Sequence, residues 1–391
     1  MYRGEYGRAD EASRTALDAA EQTSDPEALV DALRARQLAR CGPDGSGERV
    51  LLATRMLGAA REAGSAWVEM WGRLWRIDTL FETGQLPVIA RELAELASCV
   101  KRVPVPVARW HLLQYSATHA YAAGRYADAV RLAGEAFKVM TDMGHPAGIR
   151  RLCGRDVPDR HAPRFRGARR GGAPGPDPAG HVARGVGCGG TVGERDAPRQ
   201  PGPDVADRGD RDQAARMYEL ARPVQSWAPL PSLRLIAWAQ GLAVAIGLGR
   251  NDDIAYLSGA LEPLRGRHVA SGAGAGSYLG PVVLHLGKAA AALGALDVAI
   301  ADLETAASIC TAIGAPGFAM DASVELAATL VRRGTRADTD RACALLAAAA
   351  PEARRLGMAP SSRRIEDLRT SLSAGPPPLS PREQEVARLV G

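Results

Sequence analysis

Along most of the chain, apolar residues recur at three- and four-residue intervals, the spacing of one face of an α-helix. Glycines punctuate these stretches. One apolar helical stretch ends and another begins at Gly7, Gly47, Gly84, Gly124, Gly209, Gly249, Gly294 and Gly334, in steps of 40, 37, 40, 85, 40, 45 and 40 residues. Five residues after each glycine stand Ala12, Leu52, Ile89, Ala129, Ala214, Ile254, Ala299 and Thr339. Twelve residues after stand Ala19, Ala59, Leu96, Ala136, Ala221, Leu261, Ala306 and Leu346. Fifteen of these sixteen are apolar, in a chain that is 46% hydrophobic. Glycine takes the left-handed conformation that closes a helix. The next helix then presents positions five and twelve on one face, two turns apart, and small residues there let helices approach closely. The pattern predicts an all-α chain of helical hairpins, each too small to bury its own face, stacked as an α-solenoid around a shared core. Asp25-Pro26-Glu27 predicts a helix start: a cap, a first-turn proline and a dipole-matched acid.

Composition supports helices and adds little else. Aromatic residues make up 5% of the 391, and Ala and Leu recur throughout. The net charge is +5, with Lys101, Lys138 and Lys288 the only lysines; so strong a preference for Arg reflects GC-rich codons. Cys41, Cys99, Cys153, Cys188, Cys310 and Cys343 show no C-x-x-C pairing, which predicts reduced thiols in a cytoplasmic protein. Met1 to Asp10 is polar and charged, unlike a secretory signal. The longest apolar run, Leu235 to Gly249, is interrupted by Gln240 and falls short of the ~20 residues that span a bilayer. No membrane partner is expected. Trp67, Trp71 and Trp75 stand at i, i+4 and i+8 and read as a packed helix face rather than a ligand platform. His111 and His119 share a face without companions that complete a metal or catalytic set, and read as structural. No catalytic, cofactor-binding or metal-binding residue is expected.

Residues 153–212 break the pattern. They hold 13 Gly, 8 Pro and 11 Arg, and no Leu or Ile occurs between Leu152 and Leu220. Such a segment cannot bury a core, and its composition predicts disorder. Arg-Gly tracts such as RFRGARRGG bind RNA elsewhere, but eleven Arg against eight Asp and one Glu leave only a small positive excess. The 85-residue step across the region is close to two repeat lengths. Two compensating frameshifts, near residues 150 and 208, would preserve that length while destroying the pattern, leaving apolar helix faces exposed on both sides.

The stretch AYAAGRYADAVRLAGEAF, with Gly124, Tyr126, Ala129 and Ala136, resembles the second half of a tetratricopeptide repeat. LGALDVAIADLETAASI repeats the scheme at Gly294, Leu296, Ala299 and Ala306. The units are longer than that family's, so the array is tetratricopeptide-like. After the linker Ser373 to Pro378 comes LSPREQEVARLVG. Ser380 is a good N-cap, Pro381 a first-turn proline, and Glu383 completes a capping box. This segment resembles the opening helix of the LuxR-type helix-turn-helix domain at Leu379, Ser380, Arg382, Glu383, Val386 and Leu389. Helical repeats followed by that helix are similar in layout to the large ATP-dependent, MalT-like bacterial regulators. Ala39 to Ser65 and Ser277 to Ala306 also resemble that family's repeat region.

The resemblance implies a transcription regulator whose repeats bind a protein or small effector, and whose DNA contacts belong to an intact parent protein. The family binds ATP through an N-terminal domain. Here no G-x-x-x-x-G-K-[ST] occurs: Gly287-Lys288 is followed by Ala289, with Val282 where the first glycine belongs. No cofactor is therefore expected in this chain. SGAGAGS, Ser271 to Ser277, fits neither phase of G-x-G-x-x-G and is expected to form a turn between hairpins. The recognition helix would lie beyond Gly391, and the helix after Gly7 is expected to lack its hairpin partner, so the chain reads as a fragment at both ends. The expected organisation is repeats over 1–152, the low-complexity segment 153–212, repeats over 213–372, the linker 373–378 and the truncated helix-turn-helix 379–391. The alternative is a free-standing tetratricopeptide-like scaffold. An enzyme finds no motif to support it.

Overall fold

The structure, a computed structural model, describes residues 6–23, 25–144, 211–212, 215–227, 230–272 and 276–373. Seven α-helices lead the chain: α1 (Tyr6–Glu21), α2 (Pro26–Ala39), α3 (Ser46–Glu62), α4 (Ala66–Glu82), α5 (Leu86–Val100), α6 (Pro106–Ala122) and α7 (Tyr126–Asp142). Seven more follow a helical stretch over 215–221: α8 (Arg234–Leu248), α9 (Asn251–Leu261), α10 (Val282–Ala292), α11 (Leu296–Ala312), α12 (Pro316–Arg333), α13 (Arg336–Arg355) and α14 (Ala359–Ser373). The fold is all-α. Consecutive helices pack in order from α1 to α7 and from α10 to α14, while α8 and α9 pack on each other and on α10. Of the low-complexity segment 153–212, only Arg211 and Asp212 are described, both helical. The linker beyond Ser373 and the segment 379–391 lie outside the described residues.

The turns explain the order. Gly84, Gly124, Gly249, Gly294 and Gly334 all have positive φ, between +67° and +84°. Gly64, Gly144, Gly314 and Gly357 do the same at φ +58° to +73°. At most of these turns the amide after the glycine donates to a carbonyl five residues back. Examples are Ser65 to Ala60, Gln85 to Leu80, Arg125 to Ala120, Ala295 to Ala290 and Ala315 to Cys310, at 2.8–3.0 Å. That is the Schellman closure, which needs a left-handed residue just before the donor. Helix plus turn thus repeats about every 20 residues, and a hairpin every 40. Asp25 caps α2 by accepting from the Glu27 amide at 2.9 Å, with Pro26 in the first turn.

Two of the expected turn glycines sit elsewhere, and Gly209 lies outside the described residues. Gly7 and Gly47 lie in the first turns of α1 and α3. The chain reverses before α3 through a 3-10 turn at Pro43–Gly45. The glycine required there is Gly45, where a Cβ would stand 2.2 Å from the Arg40 carbonyl oxygen. The phase of α1 shifts accordingly: Ser13, Leu17 and Ala20 are its buried residues, and Ala12 and Ala19 face solvent. Elsewhere the predicted face is interior, with Leu52, Ile89, Ala129, Ile254, Ala299, Leu96, Ala136, Leu261, Ala306 and Leu346 all buried.

Of the expected turn Ser271 to Ser277, residues 273–275 lie outside the described residues; the described parts on either side lead into two short strands, which adds a strand pair to the helices. β1 (His268–Ala270) and β2 (Tyr278–Pro281) pair antiparallel, His268 opposite Pro281 and Ala270 opposite Tyr278, with an irregularity between. β1 packs on α4 and α8; β2 packs on α6, α10 and α11. One core cluster therefore joins α4 to α6 with Ala270, Tyr278, Cys310 and Ala315, and α6 also touches α12. The stretch Pro231–Leu248 has the length and mean hydropathy, 1.3 over 18 residues, to cross a membrane. Here it is a 3-10 turn followed by α8, whose Leu235, Ala239, Leu242 and Ala245 face are packed inside a core. Next to the break in the described chain, α7 leaves Val130 50% exposed and Phe137 exposed, and Leu220 is 73% exposed.

Candidate functional site

The tryptophans of α4 divide by depth. Trp75 is 2% exposed, in the core formed by Leu33, Leu52 and Met56 of α2 and α3. Trp71 is half-buried and Trp67 is 37% exposed. The stripe is therefore a packed face at one end and an open surface at the other. Trp67 meets Trp71 edge-on with centroids 5.9 Å apart. Trp71 meets His111 of α6 edge-on at 5.3 Å, and His111 lies 4.6 Å from Trp110. The Arg34 guanidinium of α2 stands 5.8 Å from the Trp71 ring centroid, a cation–π arrangement. Its nearest carboxylate is Asp31 at 3.6 Å, itself exposed. The buried Trp71 Nε1 has no hydrogen-bond partner among the described residues. Helices α2, α4 and α6 thus present indole faces and edges beside one guanidinium. Such a surface can hold a flat or apolar group together with a carboxylate.

Further along the same two helices the surface becomes a polar seam. Tyr115 of α6 donates to Asp78 Oδ1 of α4 at 2.5 Å, both side chains buried. Thr118 and Gln114 both donate to the Gly276 carbonyl, Gln114 at 3.3 Å. Phe81 packs on Tyr278 with centroids 5.7 Å apart. His268 stacks on Tyr278 and shares a 2.8 Å hydrogen bond with its hydroxyl. Burial pushes the His268 imidazole down to about 4 and the Tyr278 phenol well above its ordinary value. Behind this seam, Arg49 of α3 and Glu82 of α4 form an ion pair at 2.7 Å, 0% and 2% exposed. Arg49 also donates to the Cys41 carbonyl at 2.9 Å. Burial raises the Glu82 carboxyl above its usual range, with Arg49 opposing the rise.

His119 is apart from His111. Its Nε2–H donates to the Leu86 carbonyl at 3.2 Å, and Nδ1 accepts from Arg125 at 3.4 Å. That pattern fits only the neutral ring; burial first, and Arg125 second, lower its pKa. It borders a groove of about 290 Å³ shared with Ser116, Asp128 and Arg131. A second groove, about 330 Å³ and mostly apolar, runs between α11, α12 and α13 past Met320, Ser323, Leu345 and Glu352. Among the described residues no cluster of His, Cys, Asp or Glu could hold a metal. Cys41, Cys99 and Cys310 are free and buried, and Cys343 is free and exposed. Burial, ahead of Asp321, raises the Cys310 thiol to about 12.

Sequence reasoning found the tryptophans and both histidines, but not the partners that place them. Arg34, Arg49, Glu82, Asp78 and Gly276 carry no local pattern. The second set of turn glycines was discoverable, because Gly64, Gly84, Gly124 and Gly144 are separated by 20, 40 and 20 residues. No protein-family model and no curated protein matches this chain.

Proposed function

We propose that this chain is the helical-repeat part of a LuxR-type transcription regulator, a non-enzymatic cytoplasmic module that binds a protein or small effector. The observation that carries this reading is the LSPREQEVARLV segment, in which Leu379, Ser380, Arg382, Glu383, Val386 and Leu389 match the family's first helix directly after an array of helical hairpins. Successive packing of hairpins supports a binding arm, because such arrays offer extended surfaces. Trp67, Trp71 and Arg34 are where we place the effector or partner. ATP and DNA belong to other domains of the parent protein.

The coding DNA with its flanks tests the reading. A frame that continues past Gly391 into a turn and a basic second helix supports it; a stop there, with no such sequence, favours a free-standing tetratricopeptide-like scaffold. The purified chain is expected to show no ATP turnover and no sequence-selective DNA footprint. Either activity in clean protein would overturn the assignment of those functions to regions other than the helical repeats.

A further inference from the structure

Arg34 of α2 and the indoles Trp67 and Trp71 of α4 form one continuous surface. Trp71 packs on the two apolar clusters beside it, one with Leu33 and Met56, the other with Met70 and Leu74. Its ring is therefore held in place, while Trp67, one turn earlier on the helix, is exposed. Exposed indoles alone do not specify a ligand. Two polar features beside them do.

The first is the weak engagement of Arg34. On the same helix and on α4, Arg36, Arg40, Arg73 and Arg76 each lie 3.5 Å or less from a carboxylate. Arg34 has Asp31 at 3.6 Å, whose side chain is 79% exposed. A pair so open to water holds weakly. The guanidinium stays 5.8 Å from the Trp71 ring centroid, with its N–H fork available to another acceptor. The second feature is Trp71 Nε1, covered by protein and without a hydrogen-bond partner among the described residues. An unpaired buried donor is costly, and an acceptor placed there relieves the cost.

We propose that this surface binds a small aromatic acid, its ring against Trp67 and Trp71 and its carboxylate shared by the Arg34 guanidinium and Trp71 Nε1. The chemistry of the surface favours this class over others. A cationic ligand is repelled by Arg34. A sugar brings several hydroxyls, a peptide several backbone donors and acceptors, and a nucleic acid a phosphate at every nucleotide. Each needs more polar partners than one guanidinium and one indole N–H supply. An uncharged ring leaves both donors without an acceptor. An aromatic acid answers both and packs its ring on indole in an offset or edge-on contact. The ring also shields the carboxylate–guanidinium pair from water, which strengthens it. The ligand class rests on the placement of the effector at this surface. The coding frame past Gly391 decides the regulator reading and binding decides the class, so each can fail alone.

Ligand-detected NMR titration of the full chain with indole-3-acetate tests it. Indole-3-acetamide is the uncharged counterpart and cyclohexanecarboxylate the acid without a flat ring. The acetate is expected to saturate the chain with a Kd tighter than about 5 mM, and to bind about tenfold more tightly than either control. Arg34→Gln should bring acetate and acetamide to the same weak affinity. Trp67→Ala should weaken both by about tenfold. Both side chains lie at the surface, and far-UV circular dichroism checks that each variant keeps its helices. A Kd weaker than about 5 mM for the acetate overturns the proposal. So does equal affinity of the wild type for acetate and acetamide, or wild-type binding by either variant, which places the ligand elsewhere on the chain.

Discussion

Removing the carboxylate of Glu82 leaves a guanidinium with 0% exposure facing no countercharge. The Arg49 guanidinium cannot swing to water, because Gly272 closes over it. A Cβ there would stand 2.9 Å from Arg49 Nη1. Breaking a buried pair from one side costs about 3–5 kcal/mol, since the remaining charge stays desolvated. With an unfolding entropy of about 2.1 cal/mol/K per residue over 391 residues, that corresponds to a loss of roughly 4–6 °C in Tm. Glu82→Ala should therefore shift the urea midpoint, read by far-UV circular dichroism, far below that of the wild type. Replacing both partners with apolar residues, Arg49→Met with Glu82→Leu, should recover most of the loss, because the desolvation penalty disappears with the charges. The cycle then gives a coupling of opposite sign to the single losses. A single variant that costs under about 1 kcal/mol, or a double variant as unstable as the sum of the singles, refutes the description of Arg49 and Glu82 as a mutually dependent buried pair.

Three further outcomes follow from local geometry. The His268 and His285 imidazoles are both held down to about 4, by burial in each case and for His285 also by Lys288. Their unfolded forms bind a proton near 6.5, so acid favours the unfolded chain, and each should cost about 3 kcal/mol of stability as pH falls from 6.5 to 4; if His285→Asn leaves the slope of stability against pH unchanged in urea titrations, the idea fails for that residue. Gly84→Ala combines a φ of +71° with a Cβ inside His268, whereas Gly294→Ala has a φ of +84° and open space. The first should lose well over 2 kcal/mol and the second about 1 kcal/mol, and equal losses in denaturant titrations would contradict the close approach. Trp75→Ala should cost about 3–5 kcal/mol and Trp67→Ala under about 1 kcal/mol, a contrast measurable by thermal unfolding and reversed if Trp67 were the packed end.

The helices, their caps and half of their turns could be read from the chain alone because these features are local. A left-handed residue is needed wherever a helix closes on itself, so Gly84, Gly124, Gly249, Gly294 and Gly334 could be placed from spacing. Periodicity likewise placed Leu96, Ala136, Leu261 and Leu346 in the interior. Gly7 and Gly47 went astray for the same local reason, since a glycine that starts a helix and one that ends the helix before it differ by a few residues in sequence. Partners remote along the chain had to wait for packing. Arg49 and Glu82 are 33 positions apart, and Thr118 and Gly276 are 158 apart. Nothing in the sequence around Gly276 announces that its carbonyl accepts from Thr118 and Gln114. Whether Trp67, Trp71 and Trp75 would be core or surface was set by where α2 and α6 lie against α4. An indole's helical spacing is a property of one helix, but its burial depends on the neighbours that tertiary packing brings to it.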